Sequence, residues 1–211
     1  MDIAKNREAF WKEDVRDYFI ENNPATGAFR KRFIAKIVED NNIKSVLELG
    51  CNSGGNLMAI HKRMPDVDIN GFDICERAIS HAINVEKNPA KFTTGSLHDD
   101  LDQYDDDSFD LVFTSSVLFH IPSERIFDII SNQKRIAKRF IFNIERYGNN
   151  NSVYIERRGI PHQWTTNYVE IYKSLGLECQ LTSMEKKFPG KKHGSATHII
   201  SSSLSDENMI Y

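Results

Sequence analysis

Two carboxylates, one before and one after a small-residue turn, are the residues of this sequence best suited to bind a ligand. Glu48 ends a short apolar run, the turn 50–55 (Gly-Cys-Asn-Ser-Gly-Gly) follows it, and Asp73 ends the next apolar run. A helix N-terminus behind such a turn attracts anions, so a loop that binds a pyrophosphate excludes a carboxylate like Glu48. The acid instead favours a ligand that carries positive charge and no phosphate.

The turn has the residue types that allow close backbone approach to a ligand. Gly50 lets the chain leave the strand without a side chain against the ligand, and Asn52 tolerates left-handed backbone angles. Asp73 lies about 20 residues beyond the glycines, where a carboxylate accepts hydrogen bonds from both hydroxyls of a ribose. The ligand contacts that we predict in the turn and the helix behind it are Gly50, Cys51, Asn52, Gly54 and Asn56.

The residues that follow the third and fourth apolar runs are further predicted ligand contacts, and those after the third run are expected to bind its base. Ser96 and Leu97 follow the third run. We expect Ser96 to bond an exocyclic amine of the base, and Leu97 or Ile74 to pack on its ring. Ser115 ends the fourth run and is expected to face the same ligand.

Apolar periodicity divides the chain into alternating strands and helices. The predicted strands are 45–49, 67–72, 91–94, 109–114 and 140–144, followed by 177–182 and 196–203 as a hairpin. The predicted helices are 4–21, about 26–40, 54–63, 76–86, 123–138 with Ser123 as its N-cap, and 166–175. The polar stretch 147–164 is predicted to be irregular.

This alternation predicts an α/β fold with a mostly parallel sheet, helices on both faces and an antiparallel edge strand from the hairpin. In such sheets, ligands bind beyond the carboxyl ends of the strands. We therefore expect one domain over residues 1–211. Its parts are N-terminal helices that can form a lid (1–43), a ligand-binding core (44–145) and a substrate-loop region with a helix and hairpin (146–211).

Composition excludes several classes of function. The 211 residues are 40% hydrophobic and 27% charged with a net charge of −3, so we expect a globular protein that does not bind nucleic acid. Neither an apolar signal segment nor a membrane span is recognisable. Cys51, Cys75 and Cys179 lack metal or redox spacing, so we expect reduced thiols and a cytoplasmic location. The acidic run 99–107 lacks the pattern of a calcium loop, and we predict no metal.

Three sequence motifs resemble class I S-adenosylmethionine-dependent methyltransferases. They are residues 48–57 (Glu-Leu-Gly-Cys-Asn-Ser-Gly-Gly-Asn-Leu), the strand end 71–73 (Gly-Phe-Asp) and residues 109–122 (Phe-Asp-Leu-Val-Phe-Thr-Ser-Ser-Val-Leu-Phe-His-Ile-Pro). Within that family, the Gly-Cys-Asn turn and the Phe-Thr-x-x-Val-Leu-x-His-Ile run (residues 113–121) are similar to small methylases associated with pseudaminic acid and other surface-sugar biosynthesis. Asn52 replaces the usual middle glycine of the turn, and Ser96 replaces an aspartate common at the adenine position.

The resemblance implies a Rossmann-like sheet of seven strands whose last strand is antiparallel. It also implies S-adenosyl-L-methionine as cofactor and S-adenosyl-L-homocysteine as product. The charges of that cofactor match the expectation from Glu48, because it has an ammonium and a sulfonium group and no phosphate.

Methyl transfer to a hydroxyl needs a base within hydrogen-bond reach of the acceptor. His120 is the first candidate, although a structural histidine is an equal alternative; Glu145, Tyr147 and His162 are expected around the same crevice. Trp11 belongs either to the core of an N-terminal helix or to a lid over the cofactor.

These residues predict a methyltransferase that acts on an oxygen or nitrogen of a small polar metabolite, a sugar or a related intermediate. Two alternatives remain open at this point. One is a protein of the same fold that binds the nucleoside without catalysis. The other is a nicotinamide-dependent oxidoreductase, against which Glu48 argues. The sequence does not predict the oligomeric state.

Overall fold

A computed structural model describes most of the chain. The described residues are 8–14, 28–84, 86–148, 155–157, 160–189, 198–205 and 208–209. The strands are β1 (Ser45–Leu49), β2 (Asp68–Asp73), β3 (Lys91–Thr94), β4 (Phe109–Ser115), β5 (Ala137–Glu145), β6 (Ile155–Arg157), β7 (Ile160–Gln163), β8 (Gln180–Ser183) and β9 (His198–Ser203). The helices are α1 (Ala28–Asp40), α2 (Gly55–Arg63), α3 (Glu76–Asn84), α4 (Ser123–Ile136), α5 (Tyr168–Ser174) and α6 (Met184–Lys187).

Seven strands form one sheet in the order β3-β2-β1-β4-β5-β9-β8. Strands β1 to β5 pair in parallel, and β9 pairs antiparallel with both β5 and β8. The fold prediction of a seven-stranded, mostly parallel sheet with an antiparallel last strand is confirmed. The expected edge position was wrong, because β9 inserts between β5 and β8 and leaves β8 at the edge.

Helices cover both faces of the sheet, and the strands alternate their side chains between two cores. Leu111 and Phe113 of β4 face the core under α1, α2 and α3, whereas Val112 faces the core under α4 and α5. All three side chains are fully buried. The middle of β4 is therefore apolar on both faces of the sheet.

Four differences from the predicted elements concern the N-terminal segment, the N-cap of α4 and the two stretches that follow β5 and β8. The stretch 147–164 contains the β6–β7 hairpin, and the short helix α6 separates β8 from β9. Ser123 is the first residue of α4, with Pro122 in the N-cap position. Of the predicted helix 4–21, residues 8–14 are described, and Phe10–Asp14 form a turn of π-helix.

No helix among the described residues is long and apolar enough to cross a membrane.

Candidate functional site

The loop after β1 has the left-handed backbone that its residues predicted. Gly50, Asn52 and Gly54 have φ angles of 74°, 53° and 70°. A Cβ atom on Gly50 would lie 2.5 Å from Cγ2 of Val117, so no side chain fits there without displacing the loop after β4. The loops after β1 and β4 therefore meet at the carboxyl end of the sheet.

Asp73, the last residue of β2, fixes the shape of the β1 loop. Its Oδ2 accepts a hydrogen bond from the backbone N of Asn52 at 2.7 Å, and its Oδ1 accepts one from the backbone N of Cys75 at 2.8 Å. Burial raises the pKa of this carboxyl. Because each carboxylate oxygen has two lone pairs, Asp73 can hold the loop and still accept hydrogen bonds from a diol.

Glu48 is buried, and one of its two carboxyl oxygens has no hydrogen-bond partner among the described residues. Asn56 Nδ2 donates to its Oε1 at 2.6 Å, while its Oε2 has no hydrogen-bond partner among the described residues. Burial raises its pKa to about 8, the charge of Asp73 adds to the effect, and Lys31 and Arg30 oppose it. A buried acceptor without a partner is costly, so this oxygen fits a ligand that brings a cationic donor.

Arg30 of α1 is a site residue that the sequence did not predict. Its guanidinium donates to Oγ of Ser115 at 3.3 Å and also to Oγ of Ser116, both at the end of β4. The hydroxyl of Ser115, a predicted ligand contact, therefore already has a cation beside it. Only the packing of α1 against the sheet brings this charge here, and the local sequence around Arg30 carries no sign of it.

The turn after β3 holds the side chain of Ser96 in place. Its hydroxyl oxygen accepts from the backbone N of His98 at 3.1 Å and also bonds to the carboxylate of Glu8 in the N-terminal segment. Its backbone N donates to Oδ2 of Asp100 at 2.7 Å. Leu97 is half-buried beside it, as is Ile74 after β2.

His120 lies in a one-turn 3-10 helix, Leu118–His120, directly after β4. The side chain is almost buried, and its ring lies 4.7 Å from the ring of Trp11 at an interplanar angle of 64°. Trp11 belongs to the N-terminal segment. The structure thus brings together His120, the first candidate base, and Trp11, the candidate for either helix core or lid, at the same end of the sheet.

Glu145, the last residue of β5, turns its carboxylate toward this 3-10 turn. The carboxylate is fully buried and accepts from Oγ1 of Thr114 at 2.8 Å and from the backbone N of Val117 at 3.0 Å. Burial raises its pKa to about 7, and the hydrogen bonds from Val117, Thr114 and Leu118 lower it. Glu145 therefore anchors the turn that carries His120.

Tyr147 and His162 are placed on segments next to this turn. The Tyr147 ring is half-buried and lies 5.1 Å from the ring of His198. His162 is on β7, and the strand is tied to the turn because the backbone N of Trp164 donates to the backbone O of Phe119 at 2.9 Å. The side chain of His162 lies outside the described residues.

In the described part of the chain, no three or more His, Cys, Asp or Glu side chains are grouped so that they could bind a metal ion. Cys51, Cys75 and Cys179 are free thiols. Burial raises the pKa of Cys51 and Cys179, which makes reactive thiolates unfavourable at both positions.

Comparison with known proteins assigns the fold. Residues 46–139 match the family model described as a methyltransferase domain. They run from β1 into the first residues of β5, so the match covers the predicted ligand-binding loops. No curated protein sequence matches the chain significantly.

Solved structures extend the likeness to nearly the whole chain. Magnesium protoporphyrin IX methyltransferase from Synechocystis PCC 6803, solved with bound S-adenosylmethionine, is 17% identical with a TM-score of 0.64, over 97% of this chain and 98% of that one. An O-methyltransferase family protein from Burkholderia thailandensis is 13% identical with a TM-score of 0.64, over 94% and 64%. The chain has the Rossmann-like fold of methyltransferases.

A Nostoc punctiforme protein provisionally described as an O-methyltransferase is 17% identical with a TM-score of 0.65, over 84% of this chain. This chain spans 56% of the length of that protein.

Proposed function

We propose that the protein is an S-adenosylmethionine-dependent methyltransferase that acts on an oxygen or nitrogen of a small polar molecule. One observation carries the proposal: the buried Glu48 carboxylate has an oxygen without a partner among the described residues, in a loop where a phosphate-binding site excludes negative charge. A ligand with an ammonium group satisfies this oxygen, and a pyrophosphate does not.

The charged groups around the crevice match the parts of this cofactor. Asp73 would accept the two ribose hydroxyls, and Glu48 would accept the α-ammonium of the methionine part. Arg30, which already lies on Ser115 and Ser116, would bind the α-carboxylate through its guanidinium. The acid Glu48 would thus meet the ammonium group of the amino-acid part, and the base Arg30 would meet its carboxylate.

When bound, S-adenosylmethionine supplies an activated methyl group on a cationic sulfur that leaves as a neutral thioether. The chain must therefore align the acceptor and remove its proton where the acceptor is a hydroxyl. In this proposal, His120 takes that proton. The ring of Trp11 packs edge-on against the imidazole. Glu145 holds the turn in place by accepting a hydrogen bond from the backbone N of Val117.

The acceptor is proposed to be a sugar or a related biosynthetic intermediate. Support comes from the resemblance of the Gly-Cys-Asn turn and of residues 113–121 to sugar-associated methylases. The β6–β7 hairpin, tied to the His120 turn through Trp164 and Phe119, is the proposed acceptor-binding segment.

The direct test is calorimetric titration of the protein with S-adenosylmethionine, S-adenosylhomocysteine and a nicotinamide dinucleotide. We expect binding of both sulfur nucleosides and none of the dinucleotide, since the latter would place a pyrophosphate against Glu48. Selective binding of the dinucleotide would overturn the proposal.

A second arm separates catalysis from binding alone. Transfer of labelled methyl to a panel of nucleotide-activated and free sugars is measured for the wild type and for His120→Ala. We expect transfer by the wild type, and a loss of turnover without loss of cofactor affinity in the variant. Full turnover in His120→Ala would remove His120 from the chemistry.

A further inference from the structure

A carboxylate from the N-terminal segment occupies the end of β3. Oε1 of Glu8 bonds to the hydroxyl of Ser96 and lies 3.9 Å from Nε2 of His98. The Glu8 side chain is 26% exposed, so it is partly desolvated. Its other oxygen, Oε2, makes no hydrogen bond or ion pair with the residues that the structure describes.

The order of the sheet places the base of a nucleoside at this position. Asp73 stands at the end of β2, and β3 is the next strand outward from β1 and β2. A nucleoside whose ribose lies on Asp73 and whose sulfur points to the β4 side must extend its base toward β3. This inference rests on the proposed function, which puts such a nucleoside in the crevice.

Ser96 is poorly suited to read that base alone. Its hydroxyl oxygen accepts from the backbone N of His98, and its proton is directed to Glu8. An exocyclic amine is a hydrogen-bond donor and requires an acceptor. Two described carboxylates beside Ser96 have a spare oxygen, and of these Glu8 is the partly buried one, whereas Asp100, which accepts from the backbone N of Ser96, is exposed.

We propose that Glu8 is an adenine-reading residue, whose Oε2 accepts a hydrogen bond from the exocyclic amine of the cofactor. Ser96 and His98 position the carboxylate from the sheet side. If the base has a carbonyl oxygen in place of the amine, that oxygen faces the negative carboxylate of Glu8 and no hydrogen bond forms between them. Such a base is bound less tightly.

The same segment also reaches the other end of the crevice. Trp11, three residues after Glu8, packs its ring on His120. Residues 8–14 therefore contact the base end through Glu8 and the acceptor end through Trp11. In this proposal the N-terminal segment is part of the cofactor site and selects the base, in addition to covering the crevice.

The test compares S-adenosylhomocysteine with its deaminated analogue S-inosylhomocysteine, which has a carbonyl oxygen where adenine has the amine. Dissociation constants for both are measured by calorimetry on the full chain and on Glu8→Ala, Glu8→Gln and Ser96→Ala. For each variant, the two dissociation constants are compared as a ratio. A loss of affinity that affects both ligands equally does not change this ratio.

We expect the wild type to prefer the amine-bearing ligand by about tenfold or more, as a charge-assisted hydrogen bond at a partly exposed site allows. Glu8→Ala should reduce the preference to about threefold or less. Glu8→Gln should bind the deaminated analogue more tightly than the wild type does, because its amide nitrogen can donate to the carbonyl oxygen. A residue that only tethers the segment would produce neither effect.

The matched control is Glu178→Ala, an exposed glutamate after α5, which should keep the wild-type ratio. If the wild type binds S-adenosylhomocysteine and Glu8→Ala keeps the full preference, the role of Glu8 is overturned while the proposed function stands. If the wild type binds neither ligand, the proposed function itself fails.

Discussion

Two side chains of opposite charge type, the buried Glu48 and the half-buried Arg30, lie near each other at the carboxyl end of the sheet. Glu48 lies at the end of β1 with one unpartnered oxygen among the described residues, and Arg30 reaches from α1 to the end of β4. Burial disfavours the charged form of Glu48, and the positive charge of Arg30 favours it. A ligand with both an ammonium and a carboxylate group can therefore complement both residues at once.

Replacing Arg30 by Ala should weaken S-adenosylhomocysteine binding by about tenfold or more, because a charge-assisted contact to the α-carboxylate is lost. Binding of 5′-methylthioadenosine, which has the nucleoside and lacks the amino-acid part, should change by less than threefold. Calorimetric titration with both ligands measures the difference. The matched control is Arg32→Ala, an exposed arginine of the same helix, which should leave both constants unchanged.

An equal loss of affinity for both ligands would contradict this assignment, since it would show that Arg30 supports the site as a whole. The contacts of Arg30 with Ser115 and Ser116 would then be structural only.

The sequence predicted some of these residues and missed others for a physical reason. Glu48 and Asp73 end apolar runs, and strand ends of a parallel sheet meet at one edge, so their positions follow from local pattern alone. Arg30 and Glu8 reach the crevice from helical segments far away in the chain. Their position depends on how these segments pack on the sheet, which no local pattern contains.

At the scale of elements, the 3-10 turn Leu118–His120 depends on a strand end for its position. Glu145 of β5 accepts from the backbone N of Val117 with both of its oxygens, at 3.0 Å and 3.1 Å, and from Thr114. The backbone N of Val117 would otherwise lack this partner inside the protein. The carboxylate thus makes the turn rigid enough to hold His120 against Trp11.

Removing this anchor should loosen the turn locally. In Glu145→Ala, the amide hydrogen of Val117 should exchange about tenfold faster or more, because it loses a hydrogen bond to a charged acceptor. Glu145→Gln keeps one acceptor oxygen and should show an intermediate rate. Hydrogen exchange resolved by NMR measures both rates, with Glu178→Ala as the control that keeps wild-type exchange.

Unchanged protection of Val117 in a folded Glu145→Ala protein would show that the turn holds itself. Glu145 would then be open again to a direct part in proton transfer.

The elements differ in how well local sequence determines them. Strands β1 and β3 lie within their predicted bounds, because buried parallel strands are continuous apolar runs between clear breaks. The β6–β7 hairpin was missed, since strands of three and four residues in a polar stretch show no periodicity. The insertion of β9 between β5 and β8 was also missed, because pairing order between distant segments depends on the whole sheet.

The folded protein buries the acidic side chains of Glu48 and Glu145 where strands β1 and β5 end. Burial raises the pKa of Glu48 to about 8 and that of Glu145 to about 7, from an ordinary value of 4.5. Between pH 4.5 and these values, the folded protein binds more protons than the unfolded chain. The contribution of these two carboxyl groups to the free energy of unfolding of the ligand-free protein should therefore fall as pH rises through this window, by about 1.4 kcal/mol per pH unit for each group.

The bound ligand should reverse part of this loss, because its ammonium group beside Glu48 favours the ionised carboxylate and lowers its pKa. Saturating S-adenosylhomocysteine should raise the melting temperature more at pH 8 than at pH 6, and its binding at pH 7 should release a proton. Calorimetry in two buffers of different ionisation enthalpy measures that release. Glu48→Gln, which cannot titrate, should show a pH-independent shift and a smaller proton release. Equal shifts at both pH values in the wild type would mean that Glu48 does not meet the cation, and the electrostatic reason for choosing this cofactor would be lost.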